Sequence, residues 1–341
     1  MSNLPPSGEI PRGAIRFNID SSKPELWDGS QWAQFQLSTP NLGAVGIAST
    51  NQQPGVRGLT FGGGPASQSN VISYINISST GDATDFGDLT QGQGVSGACA
   101  SQTRGVRFGG GIPANTDTID FVTIASTGDA TDFGNLINSG RADSCASNAT
   151  RGLRLSSLSN NTIEYITIAS TGDAQDFGDM TAGRAQTAAL GNATRALEIS
   201  GYTGSNANII DFVTIATLGN AQDFGDDTGV RSGGRGFSNT TRGVFGGGYN
   251  PTPYNDEINY LTIASTGNAV EFGSLSAGSR YGSAECSVTR GIFNLGESSP
   301  SSLLNTIEYV NISTQGDTVN FGDLPQTGYA SAACSNGHGG L

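Results

Sequence analysis

The residues best able to do chemistry in this sequence come in repeated sets. The run Gly-Asp-Ala-x-Asp-Phe-Gly-Asp brings three carboxylates together, Asp82, Asp85 and Asp88 in its first copy, and oxygen-rich loops of this kind can hold Ca²⁺. In later copies the first carboxylate becomes Asn220 and Asn268, the second Glu271 and Asn320, the third Asn135 and Ser274. Asx residues beside glycine are ordinary turn chemistry, so a structural turn is favoured over calcium and no cofactor is expected. A second set, Arg57, Arg104, Arg151, Arg195, Arg242 and Arg290, could form a ring of anion-binding guanidinium groups. The favoured reading is a repeated staple, each arginine pairing with an Asp or with backbone carbonyls of its own or the next unit. Two non-repeated stretches stand apart. Residues 248–256 (GYNPTPYND) carry Tyr249, Asn250 and Tyr254, aromatic and amide groups suited to stacking on and hydrogen-bonding a sugar. Residues 296–305 (GESSPSSLLN) offer Leu303 and Leu304 for a protein contact. Plain loop filler is the competing reading of both.

Other chemistries find little support. Four cysteines, Cys99, Cys145, Cys286 and Cys334, fall one per repeat in small-residue strands, so buried thiols are expected rather than disulfides. With no CxxC and His338 the only histidine, no metal centre is expected. The Gly-Gly-Gly runs lack the Lys-Ser/Thr and the helix of a phosphate loop, and the recurring Asp-Phe-Gly has no kinase companions. No catalytic residue is assigned, and the chain is not expected to be an enzyme. A net charge of −13 with one lysine, Lys23, argues against nucleic acid or an anionic membrane as partner. No apolar run reaches membrane-spanning length, and MSNLPPSGEIPRG does not read as a signal peptide, so neither membrane insertion nor classical secretion is expected.

These sets are positioned by one repeated unit. Residues 117–136, DTIDFVTIASTGDATDFGNL, have counterparts at 71–89, 162–180, 209–226, 257–275 and 306–324. An aromatic (Tyr74, Phe121, Tyr165, Phe212, Tyr260, Tyr309) precedes a phenylalanine (Phe86, Phe133, Phe177, Phe224, Phe272, Phe321) by 12 residues in all six. From each of the first five phenylalanines to the next arginine of the set is 18 residues. Length varies only from arginine to aromatic, over 17, 17, 14, 17, 18 and 19 residues. Each unit holds four strand-like runs: a small-residue strand, the arginine strand, a strand apolar on both faces, and a polar outer strand. With 51 glycines for tight turns, the expectation is an all-β chain, a β-propeller of four-stranded blades. The loops between second and third strands would share one face, free to vary over a constant scaffold, as a binding face does.

Residues 1–11 read as an extended arm and 12–341 as the propeller, with 12–42 a three-stranded meander and 43–341 six repeats of about 47 residues. The last small-residue strand, 329–335, ends just where another arginine strand would begin, and Arg12 stands in that phase. Seven blades are favoured, with a composite closing blade made of the C-terminal strand and residues 12–42. The alternative is six blades closed by the same strand onto residues 57–64, with the N-terminus as an anchor.

An arginine strand ending in glycine clusters (61–64, 108–111, 245–248), followed by Tyr and a later aromatic, resembles the kelch β-propeller repeat. Three units lack the glycine cluster, as in RALEISG, and Phe stands where kelch has Trp. The wording NTIEYITIASTGDAQDFGDM with TRGVFGGG looks like propeller proteins of tailed-bacteriophage virions, especially cyanobacterial phages. GAIRFNIDSSKPELWDGSQW looks like modules of phage tail-fibre and other virion proteins. The resemblance implies a virion structural protein, assembled in the host cytoplasm, with other virion proteins as partners. Its expected role is host-surface recognition of glycan or protein from the tail fibre or baseplate. The alternatives are a capsid or tail decoration or adaptor protein and, third, a glycan-degrading enzyme.

Overall fold

The computed structural model describes residues 11–18, 23–27, 29–34, 57–63, 69–111, 113–141, 144–157, 160–250, 254–299 and 302–341. The arm expected at 1–11 lies, except for Pro11, outside these residues, as does the 35–42 end of the meander. The chain divides into two compact units, Met1–Gln52 and Gln53–Leu341. All regular structure among the described residues is β.

In the N-terminal unit β1 (Ile15–Asn18), β2 (Lys23–Trp27) and β3 (Trp32–Gln34) form the expected antiparallel meander. Trp27 and Trp32 sit opposite each other across β2 and β3 with ring centroids 5.4 Å apart. Arg16 lies 4.2 Å over Trp32 and pairs with Glu25, so a small sheet without a thick core is held by aromatic and cation–π contacts.

The second unit holds four-stranded antiparallel sheets. The first repeat supplies β4 (Arg57–Phe61), β5 (Val71–Asn76) and β6 (Thr84–Asp88). The second supplies β7 (Gly97–Ala100), β8 (Arg104–Gly110), β9 (Thr116–Thr123) and β10 (Thr131–Asn135). The third runs β11 (Ser144–Ser147), β12 (Arg151–Ser156), β13 (Thr162–Thr167), β14 (Gln175–Asp179). The fourth runs β15 (Ala188–Gly191), β16 (Arg195–Tyr202), β17 (Asn206–Thr214), β18 (Gln222–Arg231). The fifth runs β19 (Arg235–Ser238), β20 (Arg242–Gly246), β21 (Glu257–Thr262), β22 (Val270–Ser274). In the sixth, β23 (Ser283–Cys286), β24 (Arg290–Asn294), β27 (Thr306–Asn311) and β28 (Val319–Asp323) are joined by a hairpin of β25 (Glu297–Ser299) and β26 (Ser302–Leu303). The last strand, β29 (Ala332–Ser335), pairs with β4, Ala332 opposite Phe61 and Ser335 opposite Gly58.

That pairing corrects the expectation that the C-terminal strand joins residues 12–42; it is the partner proposed in the alternative arrangement. The reason is chemical. β4 belongs to a unit with the full set of Arg57, Tyr74 and Phe86, so β29 meets the same partner surface that every other small-residue strand meets. The cores lie between sheets, as a third strand apolar on both faces demands. Leu59, Phe61 and Phe86 of the first sheet pack with Val122 and Ile124 of the second. The series continues to the sixth sheet, whose Ile292, Ile307 and Phe321 pack with Ile75 and Ile77 of the first. The small-residue strands come together around narrow cavities of about 70 and 80 Å³, both lined by Ala98, Cys145, Ala189, Gly236, Ala284 and Ala333 among others. Only residues this small fit where so many strands converge.

Candidate functional site

The arginine set is a staple. Each guanidinium lies 4.4–4.6 Å over the ring of its own sheet's aromatic, Arg57 over Tyr74 and Arg242 over Tyr260 for example. Each Nη1 donates to a carbonyl of the next sheet: Arg57 to Ile124 (2.7 Å), Arg104 to Ile168 (2.9 Å), Arg151 to Ile215 (2.6 Å), Arg195 to Ile263 (2.9 Å) and Arg242 to Ile312 (2.9 Å). Arg290 of the sixth sheet makes the same bond to Ile77 of the first (2.9 Å). The 12-residue spacing sets each aromatic edge-on to its phenylalanine, with centroids 5.8–6.1 Å apart. An arginine held by ring and carbonyl together has little left to offer a free anion.

The Gly-Asp turns bind sheet to sheet in the same sense. The first Asp or Asn of each run accepts a backbone N–H from the outer strand of the preceding sheet: Asp129 from Asp88, Asp173 from Asn135, Asn220 from Asp179, Asn268 from Asp226, Asp317 from Ser274 and Asp82 from Asp323. A single carbonyl-type oxygen suffices, which is why Asn replaces Asp, and the third position contributes only its N–H, which is why Ser274 is tolerated. Among the described residues no group of three metal-ligating side chains occurs. No helix there is long and apolar enough to cross a membrane.

The sequence-selected loop residues come together with others that the sequence did not flag. Tyr249 and Tyr254 face each other in an isolated antiparallel bridge, rings 5.7 Å apart and edge-on. Over both lies Arg280, 5.0 and 5.2 Å from their centroids, and it also lies 4.6 Å from Tyr281. Glu297 holds the Arg280 Nε at 2.9 Å, and Tyr329 stands 6.3 Å from Tyr281. The backbone fixes these positions: Tyr249 exchanges bonds with Ser232, Arg280 with Glu297, and Asn206 Nδ2 donates to the Tyr249 carbonyl. Asn250 is exposed at the rim. Burial pushes the Tyr254 phenol up, only partly opposed by Arg280, so it stays a neutral donor at physiological pH. Burial works against the Arg280 charge, but the Glu297 bond and the tyrosines outweigh it and keep the guanidinium protonated.

Arg280, Tyr281, Glu297 and Tyr329 were invisible as a set because they sit on different connections. Their signal was positional. Residues two before five of the small-residue strands (Ala330, Val95, Gln186, Gly233, Tyr281) adopt a left-handed backbone. Val95 donates its N–H to the Ala330 carbonyl, Ala330 to Tyr281, Tyr281 to Gly233, and Gly233 to Gln186. Tyr281 is the one aromatic among these five residues, presented at the end of the central cavity. Leu303 and Leu304, expected to be exposed, are half-buried: Leu303 lies in β26 and Leu304 packs on the core between fifth and sixth sheets. The short β25–β26 hairpin sets Leu304 against that core.

No disulfide joins the four cysteines, and burial pushes the Cys99 and Cys286 thiols up to about 12. The C-terminal tail packs at the other end of the small-residue strands, where His338 Nε2 lies 2.8 Å from the Ala100 carbonyl and Gly339 donates to Ser238. Compared with known proteins, the chain matches no family model and no curated protein.

Proposed function

We propose that this chain is a virion structural protein of a tailed phage, a kelch-like β-propeller of six blades that presents its variable loops to the host surface. The six-blade reading rests on the arginine and Asx bonds, which run from each sheet to the next and return from the sixth to the first. Residues 1–52 then serve as the anchor to other virion proteins. Binding rather than catalysis is favoured because the residues gathered on the variable-loop side are tyrosines around one paired arginine, an arrangement suited to stacking and hydrogen bonding. The observation that carries the reading is this contrast: a scaffold repeated six times beside one cluster, Tyr249, Tyr254, Arg280, Tyr281, Glu297 and Tyr329, that is not repeated.

The test is competition for adsorption. Purified protein added to susceptible cells before infection is expected to reduce adsorption, and Tyr249→Ala with Tyr254→Ala is expected to abolish the block. Unimpeded adsorption by folded protein overturns direct host binding and returns the assembly role to first place.

A further inference from the structure

We infer that the Arg280–Glu297 pair, with Tyr254 and Tyr281 beside it, is a subsite for a neutral sugar bearing vicinal hydroxyls. This deepens the host-binding reading and rests on it. Of the ion pairs in the second unit among the described residues, this is the one with both partners open to solvent: Arg280 keeps 23% and Glu297 13% of their side-chain surface. The carboxylates paired with Arg107, Arg154 and Arg184 are sealed from solvent together with their arginines. Arg231 is sealed as well, though its second carboxylate, Glu257, reaches the surface. In the open pair Glu297 Oε2 takes the Nε proton of Arg280. That leaves Oε1 as an acceptor beside the guanidinium's terminal N–H groups. Two adjacent hydroxyls on a pyranose match this edge, one donating to the carboxylate and its neighbour accepting from the guanidinium. The tyrosine rings offer the apolar wall for the sugar's C–H face.

Charge selects against acidic sugars. The guanidinium is already neutralised by Glu297, and the chain carries a net −13. An added carboxylate at the terminal N–H groups would sit beside the Glu297 carboxylate and be repelled by it.

The test is saturation-transfer NMR on the full chain with methyl glucoside, methyl galactoside and methyl mannoside, and with N-acetylneuraminate and methyl glucuronide as acidic probes. Arg280→Lys and Glu297→Gln are run beside it, their folding checked by thermal melting. The expected result is transfer to ring protons of at least one neutral glycoside, none to the acidic sugars, and at least tenfold weaker affinity in both variants. Undiminished binding in the variants overturns the assignment and places the sugar elsewhere. Stronger binding of the acidic probes overturns the neutral class. Absence of sugar binding by protein that still blocks adsorption overturns the glycan but leaves host recognition standing, with a protein receptor. Absence of both removes the two together.

Discussion

At the residue scale each repeated side chain has one bond to make, and the bond explains what may replace it. Asp129 needs only an oxygen for the Asp88 N–H. Asp129→Asn is therefore expected to leave the melting temperature within a degree or two, while Asp129→Ala loses about 1 kcal/mol, a difference that denaturant titration resolves. Glycine in the Phe-Gly pair is fixed by space as well as conformation. Gly225 sits at φ +146°, and a Cβ there would stand 2.6 Å from the Gly267 carbonyl oxygen of the neighbouring sheet. Burial pushes the Glu285 carboxyl up to about 8, with the Asn294 amide opposing. The folded state thus keeps a proton that the unfolded chain releases near its ordinary value of 4.5. That contribution to stability is full below pH 4.5 and is lost as pH rises through about 8, on the order of 3–5 kcal/mol in all. His338, held below its ordinary range by burial, works oppositely below its ordinary value of 6.5. The Glu285 slope is therefore cleanest from pH 6.5 to 8. Glu285→Gln is expected to flatten the melting-temperature profile there, and an unchanged slope would show that the carboxyl ionises freely in the fold.

At the element scale, strand type and order were legible because each strand's burial leaves its own signature: small residues where strands crowd, aliphatics on both faces between sheets, Asx and Gly at the outer edge. The Phe-to-Arg and Tyr-to-Phe spacings carried the staple in the sequence, since a stack of guanidinium on ring on ring tolerates no change in register. The partner of β29 was not legible. Arg12 stands in phase with the arginine set, but phase alone says nothing of whether the surface behind it can bury a small-residue strand. The tyrosine–arginine cluster was half legible for a related reason. Tyr249 and Tyr254 stood out within nine residues of sequence, while Arg280, Tyr281, Glu297 and Tyr329 meet only through backbone bridges between connections. Removing β29 tests its pairing directly. A chain ending at residue 328 leaves the edge of β4 unpaired and uncovers Leu59 and Phe61. It is expected to aggregate, and a synthetic peptide of residues 329–341 is expected to restore a monomer on size-exclusion chromatography. A stable monomer without the peptide would mean that β29 adds little.

At the scale of the whole molecule, the question is how far a local loss travels. An open array of repeats unfolds piecewise, because each unit leans only on its neighbours and the ends fray first. In the proposed ring no unit is terminal, and opening any junction strains all the others. Arg104→Ala removes the guanidinium from the Phe121 ring and from the Ile168 carbonyl. The loss is about 2 kcal/mol for a charge-assisted hydrogen bond with a cation–π contact. Native-state hydrogen exchange reads where that loss is felt. In the ring, the slowest amides of all six sheets, β27 of the sixth as much as β9 of the second, are expected to lose protection by the same amount, because their exchange requires the one global opening. In an open array the loss would stay in the second and third sheets, and β27 would exchange as before. Uniform loss therefore supports closure, local loss refutes it, and the two are separated by one measurement on one folded variant.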